Sequence, residues 1–273
     1  MSFSSDVFTI ERHDLTATLW LDRPEKRNAM GDAFWADLPV AMAELGADLD
    51  VRAIVLAARG LHFTAGLDLV ESGSFLAPAD GESKSAYQRR LYQTIKRLQA
   101  SISSVAECPK PVIAAVHSWC IGGGVDLITA CDIRLASADA QFSVRETRLA
   151  MVADVGTLQR LPRVLAPGHV AELVYTGKDV GAARAKEIGL VNDVYADREA
   201  VIAAARTMAD EIAANSPLAV QGAKAVLRAG ESQTVEEGLE HVALWNSSFV
   251  QSDDLTEAIT AYFQQREPKF TGQ

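Results

Sequence analysis

Residues 122 to 156 read GGGVDLITACDIRLASADAQFSVRETRLAMVADVG, so the carboxylates Asp126, Glu146 and Asp154 all follow a glycine triplet. Isolated Asp and Glu side chains are normally solvated. Asp126 departs from that pattern because it sits two residues past the glycines, inside an apolar helix start. Asp154 lies in LAMVADVGTL, where a carboxylate would be partly desolvated, whereas Glu146 within RETR could also form an ordinary ion pair. Like charges gathered in a dry site drive carboxylate pKa values apart, making one group a base and another an acid at neutral pH. Three carboxylates could also hold a metal, but nothing else in the chain offers ligand spacing, and no metal is expected. The five histidines are scattered, and no GxSxG nucleophile elbow occurs.

The glycines narrow the chemistry. A dinucleotide fingerprint would need glycine at position 127, which is Leu127, and no Walker pattern is present. What remains is either tight packing or a turn whose backbone N–H groups meet a negative oxygen. A second loop, FTAGLDL at 63 to 69, also follows an apolar strand. Two such loops could together form a two-donor hole for a carbonyl that becomes an enolate, each donor contributing about 3 to 4 kcal/mol in the transition state.

The elements that must position these groups follow from the pattern. VFTIERHDLTATLWLDRP alternates around His-Asp and reads as a β-hairpin ended by Pro24; a helix follows over about 31 to 47. VRAIVLAA and PVIAAVHSW read as strands buried on both faces, with DIRLAS a third. Residues 71 to 85, small, polar and Gly/Pro-bearing, read as a mobile surface loop, and a long helix runs over about 87 to 106. GGGVDLITAC opens a helix. Beyond Ala182 come AARAKEIG, a strand-like LVNDVY, and helices at about 197 to 214, 217 to 230 and 234 to 265. The fold class is therefore α/β, a core over 1–196 followed by a helical C-terminal region over 197–273.

Composition sets the bounds. The 273 residues are 48% hydrophobic and 23% charged, enough for a substantial core without staples. A net charge of -10 argues against nucleic acid or an anionic membrane as partner, so an anionic ligand must meet local Lys and Arg. Cys108, Cys120 and Cys131 lack CxxC spacing and read as buried thiols. With no signal-peptide pattern, no membrane-length apolar run and no Ser-Lys-Leu ending, a soluble cytoplasmic protein is expected.

FTAGLDL and CIGGGVDL, with PKPVIAAVHS, AKEIGLV and SPLAVQGAK in the same order along the chain, resemble the crotonase (enoyl-CoA hydratase/isomerase) superfamily. RPEKRNAM at 23 to 30 and the run from 121 to 162 are most similar to its Δ3,5-Δ2,4-dienoyl-CoA isomerase branch. The resemblance implies a spiral of ββα turns with a helical C-terminal trimerisation region, assembled as a homo-trimer or homo-hexamer. It implies an acyl-CoA thioester substrate whose carbonyl meets the backbone N–H groups of Leu67 and Gly123, with no cofactor beyond the substrate's own coenzyme A. Where hydratases carry two glutamates and a glycine, this chain has Asp126, Glu146 and Asp154, the trio of the isomerase branch.

Shifting a 3,5-diene to a 2,4-diene requires removing a proton at C2 and returning one at C6, so two carboxylates set apart along the acyl chain suit it. Asp154 is assigned to C2 and Glu146 to C6, roles that could be exchanged, with Asp126 supporting the charges. The alternative is an enoyl-CoA hydratase using Asp126 and Glu146; a non-catalytic acyl-CoA-binding or RNA-binding relative is a third reading, opposed by the acid trio and the lack of a basic patch. For coenzyme A the resemblance points to Lys26 and Arg27 and to the backbones of Ala29, Ala65 and Asp68. Tyr262 stands in a tail that contacts CoA from a neighbouring subunit in hydratases, although Gln265 replaces the usual lysine there.

Overall fold

The structure is a computed structural model and describes residues 3–273, with the backbone alone at 74 and 75. Strands β1 (Phe8–His13) and β2 (Thr16–Leu21) form the expected hairpin, turned at Asp14 with φ of 46°. Helix α1 (Asp32–Ala47), β3 (Ala53–Ala58), the helical turn α2 (Gly73–Leu76) and helix α3 (Lys84–Glu107) follow. Next come β4 (Val112–Val116), β5 (Trp119–Ile121), α4 (Gly123–Thr129), β6 (Ile133–Ser137) and β7 (Gln141–Ser143). The chain continues through α5 (Thr157–Val164), α6 (Pro167–Thr176), β8 (Val180–Gly181), α7 (Ala182–Glu187) and β9 (Asp193–Tyr195). Four helices end it: α8 (Arg198–Ala213), α9 (Pro217–Gly230), α10 (Val235–Phe249) and α11 (Asp253–Gln264).

Six strands in the order β1-β2-β3-β4-β6-β9 make the main sheet, parallel except for the β1–β2 pair, and β5-β7-β8 make a small second sheet. Successive turns of chain give one strand to each sheet before a helix returns. The run PVIAAVHSW, read as one strand, is therefore split at His117 and Ser118, where Ser118 takes a φ of 50°. Other departures are local. The last predicted helix breaks at residues 250 to 252, where Ser252 caps α11 by accepting the Leu255 amide at 3.2 Å. The 71 to 85 segment contains α2, and its Glu82 carboxylate accepts the Ala79 amide at 3.0 Å within the segment and pairs with Arg90 of α3 at 2.8 Å.

Both faces of the main sheet are covered, which explains the uninterrupted apolar strands. Ile54, Leu56, Val112 and Ala114 point to the larger core with α1, α3 and α4, while Val55, Ala57, Ile113 and Leu135 point to a second core under α8. Val201, Ala205 and Ala209 recur every four residues on α8, so small side chains seat this helix on the sheet. The first helix past residue 196, α8, thus completes the sheet's burial. All three cysteines are free and buried.

Asn28 fastens the loops beside the second sheet. Its Oδ1 accepts the Arg23 amide at 2.8 Å, and its Nδ2 donates to the carbonyls of Arg59 and His62, each at 2.9 Å. Asn28 is 4% exposed and holds a φ of 52°. Asn28→Ala leaves these groups unpaired in the interior and keeps an unfavourable backbone. It should cost about 2 to 4 kcal/mol, read as a fall in the chemical-denaturation midpoint at unchanged slope.

Candidate active site

The two glycine loops meet side by side. Thr64 N–H donates to the Trp119 carbonyl at 2.8 Å, and Ile121 N–H donates to the Thr64 carbonyl at 3.2 Å. Gly66 holds a φ of +84°, and a Cβ on it would lie 2.5 Å from the Ile121 carbonyl oxygen and 3.6 Å from the Gly123 nitrogen. Only glycine allows this approach. Met30 pins the peptides on either side of Leu67: its N–H donates to the Gly66 carbonyl at 2.8 Å, and its carbonyl accepts the Asp68 N–H at 3.1 Å. The N–H groups of Leu67 and Gly123 donate to no partner among the described residues. Within the triplet, Gly122 takes a φ of +54° and donates to the Ser143 carbonyl at 2.8 Å, while side chains on Gly123 and Gly124 would strike Met30 and Thr64. The triplet therefore serves both tight packing and the presentation of an amide.

Asp126 lies on α4 and is fully buried. Its Oδ1 accepts the Thr157 amide at the start of α5, and its Oδ2 has no partner. Burial pushes this carboxyl up to about 6 despite the Thr157 bond and the charge of Arg160. Arg160 is anchored by a bond to Ser103 Oγ at 2.9 Å and another to the Val155 carbonyl at 3.4 Å. Glu146 begins a 3-10 turn, Glu146–Leu149, and its Oε1 is 3.3 Å from the position of a Cβ on Gly122. Its Oε2 is buried without a partner. Burial first, and the Asp126 charge second, push Glu146 up to about 7. Asp154 faces open space between buried Ala153 and Val155, its carbonyl accepting Gln99 Nε2 at 2.7 Å. Partial desolvation raises its carboxyl above the ordinary aspartate value.

A cavity of about 600 Å³ joins these groups: Gly66, Leu67, Gly122, Gly123, Glu146 and Asp154 line it. Trp35, Leu91, Ile95, Leu98, Met151 and Val155 supply an apolar wall. Asp126 stands behind the wall and acts on the cavity through its charge. The arrangement offers two free amide donors for an oxyanion and two carboxylates desolvated to different degrees along an apolar channel. No group of three or more His, Cys, Asp or Glu among the described residues is placed to hold a metal.

Of the residues expected to hold coenzyme A, Arg27 and Ala65 line the cavity, and the Ala65 N–H donates to the Arg27 carbonyl at 3.0 Å. Lys26 is exposed, and Ala29 donates its N–H to the Lys26 carbonyl at 3.0 Å. Asp68 is tied into its own loop. Its N–H goes to Met30, its carbonyl accepts the Ser72 amide at 2.9 Å, and its carboxylate accepts the Val70 and Glu71 amides and faces Arg23 at 3.3 Å. Asp68 thus braces the loop that carries the Leu67 amide. Tyr262 on α11 is 79% exposed and lies outside the cavity lining. Trp35, Trp119, Arg145 and Arg160 were missed from the sequence. Position next to CIGGG could have flagged Trp119, whereas Arg160 gains its place only when α5 packs against α3.

Comparison with known proteins agrees with this geometry. The enoyl-CoA hydratase/isomerase family model matches residues 11–273. The mitochondrial Delta(3,5)-Delta(2,4)-dienoyl-CoA isomerase of Dictyostelium discoideum is 43% identical over 96% of this chain and 90% of its own length. The peroxisomal enzyme of the same name from Arabidopsis thaliana is 43% identical over 92% and 91%. The crystal structure of enoyl-CoA hydratase from Bacillus anthracis superposes with a TM-score of 0.88 at 28% identity, covering 98% of this chain and 100% of that one. The cytoplasmic location expected from the sequence is overturned by relatives named mitochondrial and peroxisomal; segments that direct a protein to an organelle carry no signature in the catalytic fold. With the ββα turns, the paired amides and the family match over nearly its whole length, the chain belongs to the enoyl-CoA hydratase/isomerase, or crotonase, family.

Proposed function

We propose that the protein is a Δ3,5-Δ2,4-dienoyl-CoA isomerase acting in fatty-acid β-oxidation. The observation that carries this reading is the placing of Asp154, a third carboxylate, on the same cavity wall as Glu146 and the two free amides. The similarity to named dienoyl-CoA isomerases supports it. The thioester oxygen accepts the N–H groups of Leu67 and Gly123. Asp154, the less desolvated of the two lining acids, takes the C2 proton. The negative charge spreads from the enolate oxygen, held by the two amides, through the conjugated diene to C6. Glu146, held protonated by burial and by Asp126, delivers a proton to C6. A C–H bond is broken at C2 and one is made at C6, both double bonds move one carbon toward the thioester, and solvent resets the two acids through the open end at Asp154. No further cofactor enters these steps.

The hydratase alternative is weakened by Asp126. Adding water across a 2-enoyl thioester with Asp126 and Glu146 would need both carboxylates at the substrate, yet Asp126 is fully buried behind the wall with one oxygen held by Thr157. We also propose a homo-trimer or homo-hexamer. Val235, Leu239 and Leu244 of α10 and Tyr262 and Phe263 of α11 are each at least 60% exposed, and contacts between copies of the chain would cover these apolar side chains.

Purified protein given 3,5-dienoyl-CoA and 2-enoyl-CoA in parallel should produce the conjugated 2,4-dienoyl absorbance from the first. Strong hydration of the second with no dienoyl product would refute the isomerase. Asp154→Asn should lower kcat by roughly 10² to 10⁴, with thioester affinity changed far less; a variant that keeps most of its turnover would show that another group is the base. Turnover requires Glu146 protonated and Asp154 ionised, so kcat should fall as pH rises through about 7 and fall again in acid below the raised Asp154 value. Asp126→Asn removes a like charge beside Glu146, lowers the affinity of Glu146 for its proton, and should move the alkaline limb to lower pH.

A further inference from the structure

Beside the catalytic groups runs a row of three side chains that neither proton transfer nor the oxyanion hole uses. Arg27 is exposed, and its side chain has no carboxylate partner among the described residues, in a chain of net charge -10. Its backbone is fixed at a φ of 55°, with its N–H on the Pro24 carbonyl at 2.9 Å. The guanidinium carbon lies 5.8 Å from the centre of the Trp119 ring. Trp119 is 40% exposed on the cavity wall and stacks on His62, with centroids 4.2 Å apart and planes 13° from parallel. His62 is fixed in turn: its Nδ1 shares a hydrogen bond with Ser118 Oγ at 2.8 Å, and its carbonyl accepts Asn28 Nδ2. Ser118, in the left-handed region, makes the turn that sends Trp119 outward.

A free arginine loses side-chain freedom when it binds a phosphate, and an indole face restricts it in advance while leaving its N–H donors available. We propose that Trp119, braced by His62, is a positioning residue that presents the Arg27 guanidinium to a phosphate of the coenzyme A carrier. The proposal rests on the acyl-CoA reading above and adds to it the device that holds the phosphate-binding group in place.

The test compares CoA with pantetheine, which lacks the phosphates, by titration calorimetry on the wild type, Trp119→Ala, Trp119→Phe, Arg27→Ala and the double variant Trp119→Ala/Arg27→Ala. Trp119→Ala should reduce the preference for CoA over pantetheine about threefold to fivefold, the range of an exposed cation–π contact. Trp119→Phe should recover part of it. The double variant should be no weaker than Arg27→Ala, because Trp119 acts through Arg27. In turnover, the loss should sit in KM and shrink at high salt. Additive losses in the double variant, as from an indole stacked directly on adenine, would overturn the proposal. So would equal weakening of CoA and pantetheine. Calorimetry needs no turnover, so failure to isomerise 3,5-dienoyl-CoA would count against the isomerase reading, while CoA binding would still decide this one.

Discussion

The contact between the Gly66 loop and the chain at Ile121 to Gly123 governs the rest of the structure. No side chain fits between Gly66 and the Ile121 carbonyl, and that closeness sets the Leu67 and Gly123 amides side by side. Backbone donors placed this way need no reorganisation when charge develops, which is the source of their value in catalysis. The two strand ends that carry them belong to different turns of chain, bridged through Thr64 and Cys120, so the hole exists only when the small second sheet has formed beside the main one.

Desolvation is the complementary constraint. Asp126 and Glu146 each bury an oxygen with no partner, a cost the fold must offset elsewhere. Much of that offset comes from the two-sided packing of the main sheet, where Ile54, Leu56, Val112 and Ala114 on one face and Val55, Ala57 and Ile113 on the other are almost wholly removed from water. Because both carboxyls bind protons more tightly in the fold than in the unfolded chain, their contribution to stability worsens as pH rises from the unfolded values through about 6 and 7. The site is therefore bought with stability at the pH where the proposed chemistry needs unequal acids.

Local sequence and tertiary packing divide the account between them. Backbone requirements were legible: the hairpin at His13 and Asp14, the helix over α1, the buried strands β3, β4 and β6, and the glycines that shape both loops all follow from alternation, apolar runs and residues that tolerate positive φ. Asp126 and Asp154 were legible too, because carboxylates in apolar surroundings are rare enough to stand out, whereas Glu146, within RETR, was singled out by the family resemblance. The break at His117 and Ser118, the short strands β7 and β8, and the helices α5 and α6 were not. Each is too short or too mixed to show a period, and each is fixed by a partner distant in sequence.

By itself the sequence determined the fold class and the two glycine loops, and it supplied the three carboxylates, since these depend on backbone conformation and side-chain type. Only the tertiary structure decided how the acids differ. Asp126 is walled off against the Thr157 amide, Glu146 is half-enclosed beside Gly122, and Asp154 faces the open cavity. It likewise decided that Asp68 braces a loop while Trp119 lies against Arg27. Proton affinity and contact depend on which atoms surround a group in space, and residues tens of positions away in the chain supply those atoms.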